Sequence, residues 1–400
     1  MIVERQDIEK IRASFQKMQT REDLLSLLNE AKHLLYGENT VAFELRQLTW
    51  YAFNKSSIRN YRKFSIKKKS GAKRQIHAPV KGLKQLQKSL SVVLQSVFIP
   101  HKAAFGFVWN KSIVDNAKTH QGSRYVYNID LKDFFSSIDQ ARVWKCLQLA
   151  PFNLNTPETQ KLANLIASLC CTEMEVERMD AEGMWVSEKK NVLAQGAPTS
   201  PVLSNVVCQR LDFLLSGVAK RFGLRYSRYA DDITFSSMHN VYQMDGEFLK
   251  ELSRIVLDQG FHIKDSKTRL QKEGYRQEVT GLLVNEKANV QKRYIKQLRM
   301  WLYYWEQYGY QKAENIFLLD YTNEKGHVKK GAPNMANVIK GKLDFLKMVK
   351  GNENAMFLKL KERFDLLMGG SDHLISIIKI WEEKGIHAAI GVYNKSLKHE

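Results

Sequence analysis

The segment that most restricts this chain is Arg225-Tyr226-Ser227-Arg228-Tyr229-Ala230-Asp231-Asp232-Ile233-Thr234-Phe235. Two adjacent acids stand between strand-like runs, which predicts a β-hairpin over Tyr226 to Ser237 with the acids at its tip. Neighbouring carboxylates repel each other and resist burial. Such a tip is either an exposed Asp-rich turn, which Asp favours anyway, or a place that holds cations. A second acid poses the same choice. The alternating stretch Tyr125-Val126-Tyr127-Asn128-Ile129 runs into Asp130, and Leu131-Lys132-Asp133-Phe134-Phe135 follows. A strand ending this way is a capped strand end, or it delivers a carboxylate and a flat aromatic wall to one pocket.

Phosphoryl transfer gives the three acids a common purpose. In-line displacement at a nucleotide phosphate uses two Mg²⁺ ions roughly 3.5–4 Å apart, and Mg²⁺ takes hard oxygen ligands from a few carboxylates and from substrate phosphates. Asp130 and Asp231 are the candidates to bridge both ions, with Asp232 in a supporting metal role.

Charge points the same way. The 400 residues carry 62 Lys and Arg against 42 Asp and Glu, a formal net charge of +20. So basic a globular chain has a polyanion as its natural partner, although a solvated basic surface also aids solubility. Hydrophobic residues make up 44% of the chain, enough for a sizeable core, and the length suits two or three subdomains. No apolar run is expected to reach the ~18–20 residues of a membrane helix. The first residues, Met1 to Asp7, include acids and no apolar leader, so a cytoplasmic location is expected and no membrane partner. The four cysteines, Cys146, Cys170, Cys171 and Cys208, lack the spacing of a zinc site or disulfide framework and read as buried free thiols.

Residues 1 to about 60 are predicted helical, with Leu24, Leu25, Leu28, Leu34 and Leu35 on one face and Thr20 as an N-cap. Phe64, Ile66 and Ile76 flank a hairpin turn at Ser70-Gly71. Helices are predicted over 83–98, 113–120, from about Gln140, and over 157–171, 199–221 and 245–259. Thr199-Ser200-Pro201 serves as cap and first turn of the 199–221 helix. Thr280 to Val284 is strand-like. From 292 onward the pattern is helical, with Ile295, Leu298, Leu302 and Trp305 in one stripe and Lys292, Arg293, Lys296 and Arg299 around it. Strands and helices mix without βαβ regularity, so the fold class is α+β.

With these segments in place, the chain resembles reverse transcriptases. Tyr229-Ala230-Asp231-Asp232 looks like the family's motif C, and Asp130 with Phe134-Phe135 looks like motif A. Gln195-Gly196-Ala197-Pro198-Thr199-Ser200-Pro201 is similar to motif B, and Gly260-Phe261-His262-Ile263 through Lys267-Thr268 to motif D. Lys69-Ser70-Gly71-Ala72-Lys73-Arg74-Gln75-Ile76 resembles the fingers hairpin that clamps the triphosphate. The boxes fall in order over roughly residues 60–285. A narrower resemblance is to bacterial retron reverse transcriptases. It rests on Asn116-Ala117-Lys118-Thr119-His120, on Val279-Thr280-Gly281, and on Gly341-Lys342-Leu343 with Phe345-Leu346 and Lys350-Gly351.

The resemblance implies a right-hand polymerase with a small antiparallel palm sheet. It divides the chain into an N-terminal helical region at 1–60, fingers and palm at 61–285, and a helical thumb and C-terminal region at 286–400. It implies RNA-directed DNA synthesis from dNTPs with two Mg²⁺ ions. It implies a multicopy single-stranded DNA copied from a structured noncoding RNA and branched from a guanosine 2′-hydroxyl, with an anti-phage defence role beside an effector protein. An intron-like or other bacterial defence enzyme, and an RNA-binding scaffold with a dormant palm, stay as alternatives. The first 60 and last ~50 residues match no motif of the family, and no nuclease or protease domain is recognisable.

The same resemblance suggests roles. Phe135, five residues after Asp130, is the candidate sugar gate, with Phe134 the core aromatic of the pair. Gln195 and Gly196 are placed against the nucleotide, the amide to hydrogen-bond it and the glycine to let backbone approach. Arg74, helped by Lys73 or Lys69, is the candidate triphosphate clamp. Lys267 is either a proton donor to the leaving pyrophosphate or a surface lysine. Asn116 and His120, one helical turn apart, are either a packing pair or a contact to RNA. The stripe at 295–305 is predicted to be thumb core, its basic neighbours tracking a duplex backbone.

Overall fold

Local sequence accounts for the first layer. In the computed structural model, which describes residues 4–53, 60–67, 71, 73–180, 182–325, 332–387 and 390, the N-terminal stretch forms α1 (Arg5–Lys17), α2 (Arg21–Tyr36) and α3 (Leu45–Phe53). Thr20 caps α2 as expected. Its hydroxyl accepts from Asp23 N, and the Asp23 carboxylate accepts from Thr20 N, which satisfies two otherwise orphaned backbone donors. The leucine face of α2 and the buried Ile11 and Phe15 of α1 pack on α4 (Lys81–Val97).

Between these helices β1 (Tyr61–Lys67) and β2 (Lys73–Pro79) form the expected basic hairpin, with Phe64 opposite Ile76 and Lys67 opposite Lys73. Lys69, Ser70 and Ala72 lie outside the described residues. Next come α5 (Ile113–Thr119), β3 (Tyr125–Asp130), α6 (Gln140–Leu147) and α7 (Thr159–Cys170). A long hairpin, β4 (Cys171–Met179) and β5 (Trp185–Leu193), follows. Charged residues on both strands hid it from a reading based on apolar runs. The 22-residue α8 (Ser200–Arg221) carries a proline in its first turn. Thr199 does not cap it, because that residue is already in helical conformation (φ −85°, ψ −22°) and makes no capping bond. By length and hydropathy α8 could cross a membrane, which corrects the expectation that no segment could. Two-thirds of its apolar window is buried, in keeping with a core helix.

The central sheet has the order β6 (Arg225–Tyr229), β7 (Asp232–Ser237), β3, β8 (Arg269–Lys272), every neighbouring pair antiparallel. Side chains alternate between its faces. Tyr226, Arg228, Ile129, Ile233 and Phe235 share one face, while Ser227, Asn128, Thr234 and Ser236 share the other with Asp130 and Asp232. On the first face Phe235 packs edge-on against Phe248 of α9 (Glu247–Asp258). The second face is buried too, but polar: Asn128 donates to Thr234 Oγ1 at 2.9 Å. Thr280 and Gly281 (φ 48° and 82°) are a tight turn joining β9 (Glu278–Val279) and β10 (Leu282–Leu283), so the expected strand over Thr280–Val284 is a hairpin. Two consecutive left-handed residues suit a two-residue hairpin loop.

Two compact units result, Met1–Lys287 and Ala288–Glu400. The second holds α10 (Lys292–Lys325), broken at Gly309 (φ 72°), with α11 (Met335–Lys350) and α12 (Ala355–Lys384). Asn334 and Asn354 cap the last two. Leu298, Trp301, Leu302 and Trp305 are buried and Ile295 half-buried, so the stripe is core, with Trp301 edge-on to Phe317 at 4.9 Å. Cys170, Cys171 and Cys208 are buried free thiols, as expected, and Cys146 is half-buried.

Candidate active site

The hairpin turn carries Ala230 in a left-handed conformation (φ 58°), which lets Asp231 and Asp232 follow Tyr229 without lengthening the loop. The β3–β7 register then sets Asp130 directly opposite Asp232, and Leu131 N donates to Asp231 O at 3.0 Å. Three acids from two distant segments thus meet at one end of the polar face.

Burial first, and then mutual repulsion, disfavours the ionised form of two of them. Burial pushes the Asp232 carboxyl up to about 7, helped by the charges of Asp231 and Asp130 and opposed by Arg269 and Lys267. Asp231 is raised by burial and then by Asp130, with Lys267 and Arg74 pulling the other way. Yet the carboxylates do not form a closed cage. Among the described residues no three Asp, Glu, His or Cys side chains are gathered at metal-ligating distance. Asp130 is turned instead to Lys267, whose ammonium donates to Oδ2 at 2.5 Å. The expectation of three converging carboxylates therefore holds for the backbone register and not for the side-chain positions. The donor set still suits a hard cation: oxygen ligands only, and partly desolvated.

Several expected neighbours assemble around this end. Lys267 closes the one-turn 3-10 helix Asp265–Lys267 before β8, and Lys264 N donates to Asp130 O at 2.8 Å. Arg74 and Lys73 are exposed at the start of β2, and Arg74 lies close enough to Asp231 to lower its pKa. Gln195 O accepts from His77 N at 2.9 Å, tying the loop before α8 to β2. At Gly196 (φ 122°) a Cβ would lie 2.8 Å from Ile76 Cγ2 and 2.9 Å from His77 O, so the close approach that demands glycine is made to the basic hairpin. Phe134 is buried against Phe261, whereas Phe135 is half-buried and leans on the Phe107 ring at 6.2 Å.

Asn116 and His120 take the structural role. Both are buried on the polar face, and His120 bridges Ser236 Oγ (2.8 Å) and Ser227 Oγ (2.7 Å). Neither side chain is open to RNA in this arrangement, which corrects the expected contact: α5 is the cover of the sheet. Thr280 Oγ1 donates to Ile113 O at 3.3 Å, so the helix that carries Asn116 to Thr119 packs against the turn of the Val279–Gly281 element. In the second unit Lys292, Arg293, Lys296 and Arg299 are exposed along the first turns of α10, and Arg299 reaches Met356 Sδ at 3.1 Å.

Sequence reasoning missed three groups. Arg228 and Asp212 form a wholly buried ion pair under the turn. Gly106 presses on the turn itself, where a Cβ would lie 2.5 Å from Ala230 N. Trp185 of β5 stacks over Lys132 and meets His262 edge-on at 4.8 Å. Only the arginine left a trace in sequence, as a charge amid buried strand residues.

Comparison with known proteins adds the following. Residues 66–298 match the family described as "Reverse transcriptase (RNA-dependent DNA polymerase)". The chain is 35% identical over 278 residues to the retron Mx162 reverse transcriptase of Myxococcus xanthus, which covers 65% of this chain and 56% of that protein. It is 39% identical over 249 residues to the retron Mx65 reverse transcriptase of the same organism, covering 62% and 56%. It is 31% identical over 244 residues to the retron Ec86 reverse transcriptase of Escherichia coli, covering 60% and 68%. The matched region spans a little over half the length of the two Myxococcus proteins.

Proposed function

Because the chain belongs to the reverse transcriptase (RNA-dependent DNA polymerase) family, within its bacterial retron branch, we propose that it copies RNA into DNA by adding deoxynucleotides to a primer end. Family membership carries the right-hand fold, and the α+β architecture with its small antiparallel sheet agrees with it. We assign 61–285 to fingers and palm and 286–400 to the thumb and C-terminal region. The observation that carries the proposal is the register of Asp130 against Asp232 beside Asp231.

Two Mg²⁺ ions, held by Asp130, Asp231 and Asp232, would supply the positive charge that a primer hydroxyl and a departing pyrophosphate need. The chain's own groups do the rest. Arg74 and Lys73 clamp the triphosphate, Gln195 and Gly196 hold the nucleotide under the basic hairpin, and the Phe135 ring excludes a 2′-hydroxyl. Lys267 gives a proton or a charge to the leaving group, a role that its contact with Asp130 supports. Lys292, Arg293, Lys296 and Arg299 follow the duplex backbone without reading its sequence.

The retron relatives support a finer reading. The template is a structured noncoding RNA, the product is multicopy single-stranded DNA branched from a guanosine 2′-hydroxyl, and the setting is a cytoplasmic anti-phage defence system with an effector encoded nearby. A primer-extension assay tests the enzyme. Wild type should incorporate dNTPs on RNA, and Asp231→Asn should lose on the order of 10³-fold or more in rate while binding RNA equally well. A wild type without incorporation ends the proposal. Sequencing the nucleic acid that copurifies with the chain tests the template: a branched RNA–DNA species is expected, and unbranched host RNA alone would overturn the retron reading.

A further inference from the structure

Arg228 and Asp212 are the most deeply buried Lys, Arg, Asp or Glu among the described residues, and the mechanism above leaves them unused. The guanidinium is 0% exposed and the carboxylate 1%. A buried ion pair is a poor way to gain stability, since desolvation offsets most of the attraction and apolar side chains of similar size serve as well. What the pair does supply is direction. Arg228 Nε donates to Asp212 Oδ1 at 2.8 Å and Nη2 to Oδ2 at 2.6 Å, a forked contact with α8. Nη2 also donates to Asn205 Oδ1 at 3.1 Å, and Nη1 to Ala230 O at 3.2 Å.

Ala230 is the left-handed residue next to Asp231. It is gripped a second time from the side. Gly106 abuts its amide, Asn205 Nδ2 donates to Gly106 O at 3.0 Å, and Phe105 N and Arg228 N exchange bonds of 2.8 Å with Arg228 O and Ala103 O. Both grips end on Asn205, one turn into the helix that the Gln195–Gly196 loop opens.

We infer that Arg228 is a positioning residue. From the apolar face of the sheet it ties the Ala230–Asp231 turn to α8, so that the acids and the nucleotide-facing loop keep one fixed spacing. This rests on the polymerase reading of the same turn. A lysine cannot replace it, because a single ammonium lacks the planar fork that reaches Asp212, Asn205 and Ala230 together.

The test uses the full chain carrying Arg228→Lys and, separately, the charge-free pair Asp212→Leu/Arg228→Met, which strands no buried charge. Four quantities are read: cooperative melting, Mn²⁺ affinity by electron paramagnetic resonance without nucleic acid, RNA affinity, and kcat for primer extension with its dependence on Mg²⁺. The expected result is melting near wild type, with Mn²⁺ affinity and kcat each lower by roughly 10- to 100-fold and RNA affinity kept. A cooperatively folded variant with wild-type Mn²⁺ affinity and wild-type kcat overturns the inference. If neither variant folds, Asn205→Ala decides by the same readings, because it keeps the ion pair and cuts the bonds that Asn205 makes to Arg228 and to Gly106. Should wild type extend nothing, the polymerase reading fails, while the Mn²⁺ comparison still tests the positioning role.

Discussion

The Lys267 ammonium lies 2.5 Å from Asp130 Oδ2, a contact between residues 137 positions apart. A cation on this oxygen competes with a metal for it, so Lys267 has two opposed effects. We expect Lys267→Met to lower the Mg²⁺ concentration needed for half-maximal extension, by freeing Asp130. The same substitution should cut kcat by roughly 10²-fold or more, the range of a lost general acid. Extension rates across a Mg²⁺ series separate the two. A weaker Mg²⁺ response with unchanged kcat would make the lysine a structural partner only.

Asp232 ties stability to pH. Its folded-state pKa is raised to about 7 from an ordinary value of 3.8. Between those values the folded state holds the extra proton, so the destabilisation present above pH 7 is relieved as pH falls toward 4. Without metal, Asp232→Asn should be more stable than wild type at pH 8, and that advantage should shrink at pH 5, with a slope of at most about 1.4 kcal/mol per pH unit. Denaturant titrations at both pH values measure it. An advantage independent of pH would show that the cost of burying the ionised carboxylate beside other acids is not its source.

His120 works in the other sense. Burial, and then the charge of Arg225, lower its pKa to about 3. As pH drops below 6.5 the unfolded chain takes up a proton that the folded chain refuses, and stability is lost. Wild type should lose roughly 1–2 kcal/mol more than His120→Gln between pH 7 and pH 5. The other histidines are shared by both proteins and cancel in the difference. Parallel losses would mean that the ring titrates normally.

Phe135 leans on Phe107 and is half-buried, five residues after Asp130. We expect Phe135→Ala to improve ribonucleotide use relative to deoxynucleotide by roughly 10- to 100-fold, read as the ratio of kcat/KM values. Phe134→Ala should instead lower the melting temperature, because that ring is buried against Phe261. An unchanged sugar preference in Phe135→Ala removes the gate.

Much of the site was legible locally. The Asp231-Asp232 tip, the strand ending in Asp130, the basic hairpin and the Thr20 cap each depend on residues within a few positions of one another, where alternation, turn chemistry and capping act. The misses share a different cause. The β4–β5 hairpin carries charge on both strands, so no apolar period marks it. Thr280-Gly281 is a turn because both residues adopt positive φ, which composition alone does not reveal. Asn116 and His120 looked equally suited to packing and to RNA, and only the sheet lying over them settles their burial.

By itself the sequence determined the kinds of group available and the short elements that carry them, because hydrogen bonding and side-chain alternation within a strand or helix are local. The tertiary structure alone decided the pairings: Asp130 across from Asp232, Lys267 on Asp130, Gly196 against His77 and Arg228 beneath Ala230. The first three join residues far apart in the chain, and the last depends on α8 holding the Arg228 side chain under the turn. Their energies depend on burial and on distances of a few ångströms, which exist only once the sheet and α8 have packed.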